Sequence, residues 1–152
     1  MLAKPDLDRP LFINSLLENM EDGRIKLFVV MPTLRFRNEY AALFRNGDYL
    51  KVNVHGAGAD QLLAFARQDQ SNFAIIVVPR LMTHLLNNEL GKSLDDVWAA
   101  TWLELPQKSP RHYQELFSHS RVSAVRVEDC LQLNVRDTLK FFPLAILSDV
   151  VE

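Results

Sequence analysis

The chain has 152 residues, of which 48% are hydrophobic and 24% charged, and its formal net charge is −2. These values are typical of one globular domain, and they exclude the strongly basic surface that binds nucleic acid or an acidic membrane. The apolar runs are far shorter than the ~20 residues that span a bilayer, and residues 1–6 lack the apolar core of a signal peptide. The sequence therefore predicts a cytoplasmic protein that contacts neither nucleic acid nor membrane.

The first part of the chain has helical periodicity. Asp8 is positioned to cap a helix over residues 9–19, where Pro10 falls in the first turn and its missing N–H group has no partner to lose. Asp22 is positioned to cap a second helix, whose apolar residues recur at helical spacing as far as Leu43. The sequence thus predicts an N-terminal pair of helices.

Residues 25–31 leave an alternative open. They form an apolar, β-branched stretch between Gly23 and Pro32, and periodicity alone does not separate a buried strand from a buried helix. A proline inside a helix also removes a hydrogen-bond donor and costs about 3 kcal/mol. We predict a helix kinked at Pro32, with a buried strand as the alternative.

From Gly47 onward the period changes to about two residues, which is typical of β-strands with one buried face. The predicted strands are 49–55, 62–67, 73–78, 101–104, 123–127, 131–135 and 144–150. Many short strands separated by turn residues favour an antiparallel β-sandwich, and one short helix over about 81–88 is inserted. The predicted fold class is therefore α+β, with a helical segment at 1–46 and a β-sandwich domain at 47–152.

Two glycine-containing segments match nucleotide-binding loops only in part. Residues 91–93 read Gly-Lys-Ser, like the end of a phosphate-binding loop, but Leu86 stands where the loop requires its first glycine. Residues 56–58 read Gly-Ala-Gly, but Gln61 stands at the third glycine of a dinucleotide fingerprint. Both segments are predicted to be turns, and no cofactor is predicted.

One set of side chains has the spacing of metal ligands. On a helix, His112, Glu115 and His119 would share one face and could hold a divalent metal. No fourth ligand lies nearby in the sequence, so we predict solvated surface residues and no metal. Cys130 has no partner base in the sequence, which predicts a buried thiol. No catalytic residue is predicted.

The two tryptophans are candidate substrate-binding residues, because an indole face suits the apolar face of a glucose ring. Trp98 and Trp102 are four residues apart, so on one strand both would face the same side. The alternative is that at least one of them lies in the core. We expect contact with a carbohydrate only if both are exposed together.

Six short motifs follow one another along the chain. They are DGRIKL at 22–27, LRFR at 34–37, LFRNGDY at 43–49, AFAR at 64–67, VVPRL at 77–81 and WAATWLELP at 98–106. In this order and at these separations, the chain resembles the C-terminal end of a maltooligosyl trehalose synthase, from about Pro10 to about Leu147. This family belongs to the α-amylase clan, and the resemblance favours one long helix across residues 25–43.

The resemblance implies a role in trehalose biosynthesis. A full-length enzyme of this family isomerises the reducing-end α-1,4 bond of a maltooligosaccharide to an α,α-1,1 bond, and it needs no cofactor. Its catalytic residues lie in a barrel upstream of this region, and no position of this chain corresponds to them. The resemblance therefore implies a non-catalytic C-terminal module that is inactive alone.

The resemblance also implies a partner. In the family, the N-terminal helices would cover barrel surface, and the apolar residues of 25–31 leave little polar face there. We expect self-association through these helices or docking to a catalytic barrel. Two alternatives remain open: an independent glucan-binding module, for which a maltooligosaccharide is the candidate ligand, and a small β-sandwich enzyme of unrelated chemistry.

Overall fold

The computed structural model describes residues 8–83 and 93–150. The described α-helices are α1 (Arg9–Glu18), α2 (Arg24–Glu39), α3 (Ala41–Asn46), α4 (Leu94–Ala99) and α5 (Val135–Thr138). Short 3-10 turns lie at Met20–Asp22 and Ala59–Gln61. The helix predicted over about 81–88 falls mostly outside the described residues.

The described residues form two antiparallel sheets. Their strands are β1 (Asp48–Lys51), β2 (Asn53–Gly56), β3 (Leu62–Gln68), β4 (Phe73–Pro79), β5 (Thr101–Leu105), β6 (His112–Glu115), β7 (Arg121–Ser123), β8 (Val125–Val127), β9 (Cys130–Asn134) and β10 (Ala145–Asp149). A six-stranded sheet has the order β1-β3-β4-β10-β6-β7, and a four-stranded sheet has the order β2-β5-β9-β8. The prediction of a mixed helix and strand fold with antiparallel sheets is confirmed at this level.

Two of the predicted strands are wrong in the same way, because each divides between the two sheets. The predicted strand 49–55 is β1 in one sheet and β2 in the other, with Val52 at the bend. The predicted strand 123–127 is likewise β7 and β8, with Ala124 at the bend. Both bend residues are buried in the core, so the hydrophobic pattern continues across the change of sheet.

One cluster of buried side chains is shared by the two sheets. It includes Ala66, Ile75 and Leu147 from the six-stranded sheet and Leu103 and Leu133 from the four-stranded sheet. Since neighbouring side chains of a strand point to opposite faces, the alternate residues of β5 and β9 lie on the outer side of the four-stranded sheet.

A second cluster joins the helices to the outer face of the six-stranded sheet. Its buried members are Ile13, Phe36, Leu43, Ala74, Phe117, Phe142 and Ile146. Strand β4 is therefore covered on both faces, which accounts for its unbroken apolar run. The division into segments 1–46 and 47–152 stays a prediction.

Helix α2 covers residues 25–31 and continues through Pro32, so the strand alternative is wrong there. The helix ends at Glu39, because Tyr40 has φ −103° and ψ 40° and interrupts the helical geometry before α3 begins. Three helices thus occupy the region where the sequence predicts two.

The start of α2 differs in detail from the prediction. Gly23, not Asp22, occupies the N-cap position, with a left-handed φ of 79°. The carboxylate of Asp22 accepts hydrogen bonds from the main-chain N–H of Arg24 at 2.9 Å and from its Nε at 2.6 Å. These bonds, the main-chain bond first, hold the pKa of Asp22 below its ordinary value.

Candidate functional site

The outer faces of the two sheets differ. Helices pack on the outer face of the six-stranded sheet around Ala74 and Ile146, whereas Val125 and Val127, on the outer side of the four-stranded sheet, are 62% and 47% exposed. We call the outward side chains of the four-stranded sheet the open sheet face. They are Asn53, His55, Trp102, Glu104, Val125, Val127, Cys130, Gln132 and Asn134.

Strand register arranges the open sheet face in rows. One row runs from His55 through Trp102 to Asn134. The adjacent row runs from Asn53 through Glu104 to Gln132. Cys130 lies at the start of β9 opposite Val127 and is only half-buried, so the prediction of a buried thiol is wrong. Polar side chains therefore border the indole of Trp102 along the sheet.

His55 connects the two rows. Its Nε2 lies 2.6 Å from Oε2 of Glu104 in a hydrogen bond, and the two side chains are 42% and 38% exposed. Its imidazole is nearly parallel to the indole of Trp102, with a plane angle of 22° and centroids 5.7 Å apart. Trp102 is thus packed against a neighbouring ring, which is itself oriented by a carboxylate.

Trp98 does not lie beside Trp102 on the four-stranded sheet. It lies on α4, not on a strand, and it is 6% exposed in the core. A Cβ atom at Gly58 would lie 2.5 Å from its ring, so the turn backbone packs closely against the indole. The expectation that both tryptophans share one strand face is wrong, because Ala100 ends α4 before β5 begins. Trp102 alone lies on the open sheet face, where it is half-buried, so the two tryptophans are not exposed together and the condition for sugar contact through the pair is not met.

A cleft of about 620 Å³ lies beside α4, between α1 and α5. Its wall includes Trp98 and Phe141, and its rim carries Asp95 and Arg136. These two rim residues form an exposed ion pair with a 3.0 Å separation. Asp137 and Lys140 also line the cleft, so charged groups stand beside its apolar wall.

The candidate metal ligands are not brought together. His112 and Glu115 lie on β6, a strand that the sequence patterns do not predict, and a separation of three places them on opposite faces. Glu115 is 2% exposed, so the prediction of a solvated side chain is wrong for this residue, and its carboxylate accepts hydrogen bonds from the main-chain N–H groups of Phe117 and Ser118. Within residues 8–83 and 93–150, no group of three or more His, Cys, Asp and Glu side chains could hold a metal ion.

The two glycine segments have structural roles where the structure describes them. Gly56 ends β2 with φ 102°, and its neighbours lead into the 3-10 turn before β3. Residues 91 and 92 lie outside the described residues, and Ser93 caps α4 by accepting a hydrogen bond from the N–H of Asp96.

Helix α2 carries a second exposed surface. Leu27 is 64% exposed, and Val30, Met31 and Leu34 are between 40% and 49% exposed. Their spacing places the four on one helical face, which we call the α2 stripe. The helix packs inward through buried Phe36, which lies opposite the stripe, and through Phe28, whose ring contacts those of Phe117 and Phe142. The helix is therefore apolar on both sides.

Neither a known protein-family model nor a curated protein matches the chain. A solved structure is similar: a noncanonic maltogenic α-amylase, AmyB, from Thermotoga neapolitana. The TM-score is 0.52 at 13% sequence identity, and the match covers 80% of this chain and 24% of the amylase. At this identity the likeness concerns the fold alone, so the chain has the fold of one part of an α-amylase. Within the described residues, no helix has the length and apolar character needed to cross a bilayer.

Proposed function

We propose that the chain is a non-catalytic module of an α-amylase-clan enzyme and supports a neighbouring catalytic domain. The observation that carries the proposal is the fold likeness to 24% of a maltogenic α-amylase, since a module accounts for only part of such an enzyme. The finer proposal is the C-terminal module of a maltooligosyl trehalose synthase. It rests on the six ordered sequence motifs.

Residues of these motifs stabilise the scaffold, which supports a structural role. Arg67 of the fourth motif donates to the carbonyl of Phe44 in the third motif. Arg80 of the fifth motif donates to two main-chain oxygens, from its main-chain N–H to that of Gln61 at 2.8 Å and from Nε to that of Asp60 at 3.1 Å. The motifs thus hold the strand ends and α3 together.

The α2 stripe supplies the surface for the proposed partner. Fully burying a leucine side chain contributes about 1.5–3 kcal/mol, and the four residues of the stripe are contiguous on one helix face. A catalytic domain docked against α2 would remove this apolar area from water. In the absence of that domain, we propose that two copies of the chain associate through the same stripe.

Sedimentation equilibrium tests the docking surface. We expect the wild-type chain to self-associate at millimolar protein concentration, and a Leu27→Glu, Leu34→Glu double variant to be monomeric. Leu63→Glu is the matched control, because Leu63 is a 50% exposed leucine on β3 outside the stripe. A wild-type chain that stays monomeric and binds no separately expressed catalytic domain would contradict the docking proposal.

Complementation in trans tests the finer assignment. A maltooligosyl trehalose synthase shortened to its catalytic barrel should regain stability and trehalosyl product formation when this chain is added. The same addition to a shortened maltogenic α-amylase is the control. Rescue of the amylase alone would replace the trehalose assignment with an amylase assignment.

The open sheet face favours a second candidate function, an independent glucan-binding module. An aromatic side chain bordered by amides and a carboxylate offers both stacking and hydrogen bonds to a sugar ring. This candidate is compatible with the first, because α2 and the four-stranded sheet lie on opposite sides of the six-stranded sheet.

A further inference from the structure

We propose that the open sheet face is a binding site for a neutral α-glucan chain, with Trp102 as the stacking residue. Asn53, Glu104 and Gln132 are the proposed hydrogen-bonding residues, and none of the four is required for docking through α2. The proposal deepens the glucan-binding candidate, and the identity of the sugar as an α-glucan rests on the proposed function.

The rigidity of the platform is the first argument. The near-parallel imidazole of His55 packs beside the indole of Trp102, and Glu104 fixes that imidazole through a 2.6 Å hydrogen bond. The aromatic side chain is therefore oriented before any ligand arrives, which lowers the conformational entropy lost on binding.

The second argument is the position of the polar row. Glu104 lies two residues from Trp102 on β5, and strand geometry separates such side chains by about 6.6 Å. A pyranose ring stacked on the indole can therefore direct its hydroxyl groups towards the amide or carboxylate of the adjacent row. Asn53 and Gln132 flank Glu104 on the neighbouring strands.

Charge restricts the class of sugar. The carboxylate of Glu104 lies in the centre of the polar row and is already bonded to His55, and the open sheet face as defined includes no lysine or arginine to attract an anionic sugar such as a uronic acid or a sugar phosphate. A neutral sugar needs no such cation, because carboxylate and amide groups accept hydrogen bonds from its hydroxyl groups.

The test uses the two tryptophans of the wild-type chain. In ¹H–¹⁵N spectra, titration with maltopentaose should shift the indole N–H signal of Trp102 in a saturable way and leave that of the buried Trp98 unchanged. Assignment comes from a Trp102→Phe variant. No shift at Trp102, or an equal shift at Trp98, would overturn the proposal.

Affinity measurements by calorimetry complete the test. Trp102→Ala should weaken maltopentaose binding about tenfold or more, and Tyr49→Ala should leave it unchanged. Tyr49 is a matched control, because it is an exposed aromatic residue stacked on Phe65 in the other sheet. Equal weakening by both variants would overturn the site, and equal binding of cellopentaose would overturn the α-glucan class.

These measurements are made on the Leu27→Glu, Leu34→Glu chain as well as on the wild type. Those substitutions lie on α2, which packs on the six-stranded sheet and not on the open sheet face. A failure of the docking proposal therefore leaves sugar binding intact, and a failure of sugar binding leaves self-association intact.

Discussion

Arg67 on β3 donates a hydrogen bond from Nη2 to the main-chain oxygen of Phe44, 2.9 Å away, in the last turn of α3. The same nitrogen lies 3.4 Å from the main-chain oxygen of Leu43. The last carbonyl groups of a helix lack partners within it. The guanidinium therefore caps the C-terminal end of α3 and connects the helix to the six-stranded sheet.

Replacement of Arg67 should therefore loosen the helix from the sheet. We expect Arg67→Met to lower the free energy of unfolding by about 1.5–3 kcal/mol, which is the range for hydrogen bonds to a charged group. Urea unfolding measures the loss. Arg67→Lys is the control, because one ammonium keeps the charge and reaches one carbonyl, so its loss should be smaller. Equal losses in the two variants would contradict the capping role.

Gly47 is expected to tolerate no side chain, for a steric reason. Its φ of −68° and ψ of 155° suit any residue, but a Cβ atom would lie 2.9 Å from the main-chain oxygen of Gln68 and closer still to that of Leu43. We expect Gly47→Ala to cost about 1–3 kcal/mol, measured by thermal unfolding.

Gly23 provides the comparison for this substitution. Its φ is positive, but a Cβ atom there would meet nothing within 4 Å, and asparagine adopts the left-handed region readily. Gly23→Asn should therefore lower the melting temperature less than Gly47→Ala. The reverse order would show that close packing at Gly47 does not limit stability.

Tyr113 should make the stability of the chain depend on alkaline pH. Its hydroxyl donates to the main-chain oxygen of Pro110 at 2.6 Å, and burial, followed by the charge of Asp149, raises its pKa far above the ordinary value. In the unfolded chain the pKa is about 10. The contribution is complete below that pH and is lost as the pH rises above it, because only the unfolded chain then releases the proton.

Denaturant unfolding across this pH range measures the effect. The free energy of unfolding should fall by up to ~1.4 kcal/mol per pH unit above pH ~10 for each such tyrosine. Burial also raises the pKa of Tyr40. Tyr113→Phe should therefore remove only part of the fall in the free energy of unfolding with pH. An identical slope in Tyr113→Phe and wild type would show that Tyr113 is not the source.

The buried carboxylate of Glu115 is expected to stabilise the turn after β6. It accepts hydrogen bonds from Phe117 N–H and Ser118 N–H, and from the Ser118 hydroxyl at 2.7 Å. We expect Glu115→Gln to cost about 1.5–3 kcal/mol. Ser118→Ala also removes the bonds between the Ser118 hydroxyl and Ser120, but it keeps the charged acceptor and its main-chain bonds, so it should cost less. Thermal unfolding of both variants measures which of the two stability losses is larger.

Added zinc tests the metal hypothesis for the segment around Glu115 independently. Because Glu115 is buried in its turn and His112 lies on the other face of β6, added zinc should leave the melting temperature of the wild type unchanged. A rise that Glu115→Gln abolishes would reinstate the metal hypothesis for this segment.

Periodicity in the sequence predicted those helices and strands in which the spacing of apolar residues is regular from end to end. The apolar spacing of α2 and the alternation in β3, β5 and β9 are local properties of the chain, so the sequence alone reveals them. It failed at Val52 and Ala124, because a buried residue at a bend continues the alternation while the strand leaves its sheet. It also missed β6, since the spacing from His112 to His119 fits a helix face equally well.

The sequence predicted the candidate site only in part, for a related reason. Trp102 stood out as an aromatic residue in a predicted strand, but its partner does not lie near it in the sequence. His55 is 47 positions away and meets Trp102 through the register of β2 with β5. Register depends on the packing of both strands against the core, so no local pattern indicates which polar residues surround the indole.

The bends at Val52 and Ala124 also determine how the chain can meet other molecules. β1 and β7 are the two edges of the six-stranded sheet, and β2 and β8 are the two edges of the four-stranded sheet. Each bend therefore joins one edge to another through a single residue, so that the backbone closes around the core at two corners. Strands of three or four residues that turn away so soon offer poor templates for strand addition. The short, bent edge strands therefore disfavour edge-to-edge aggregation, and we expect association with other molecules to occur through side-chain surfaces.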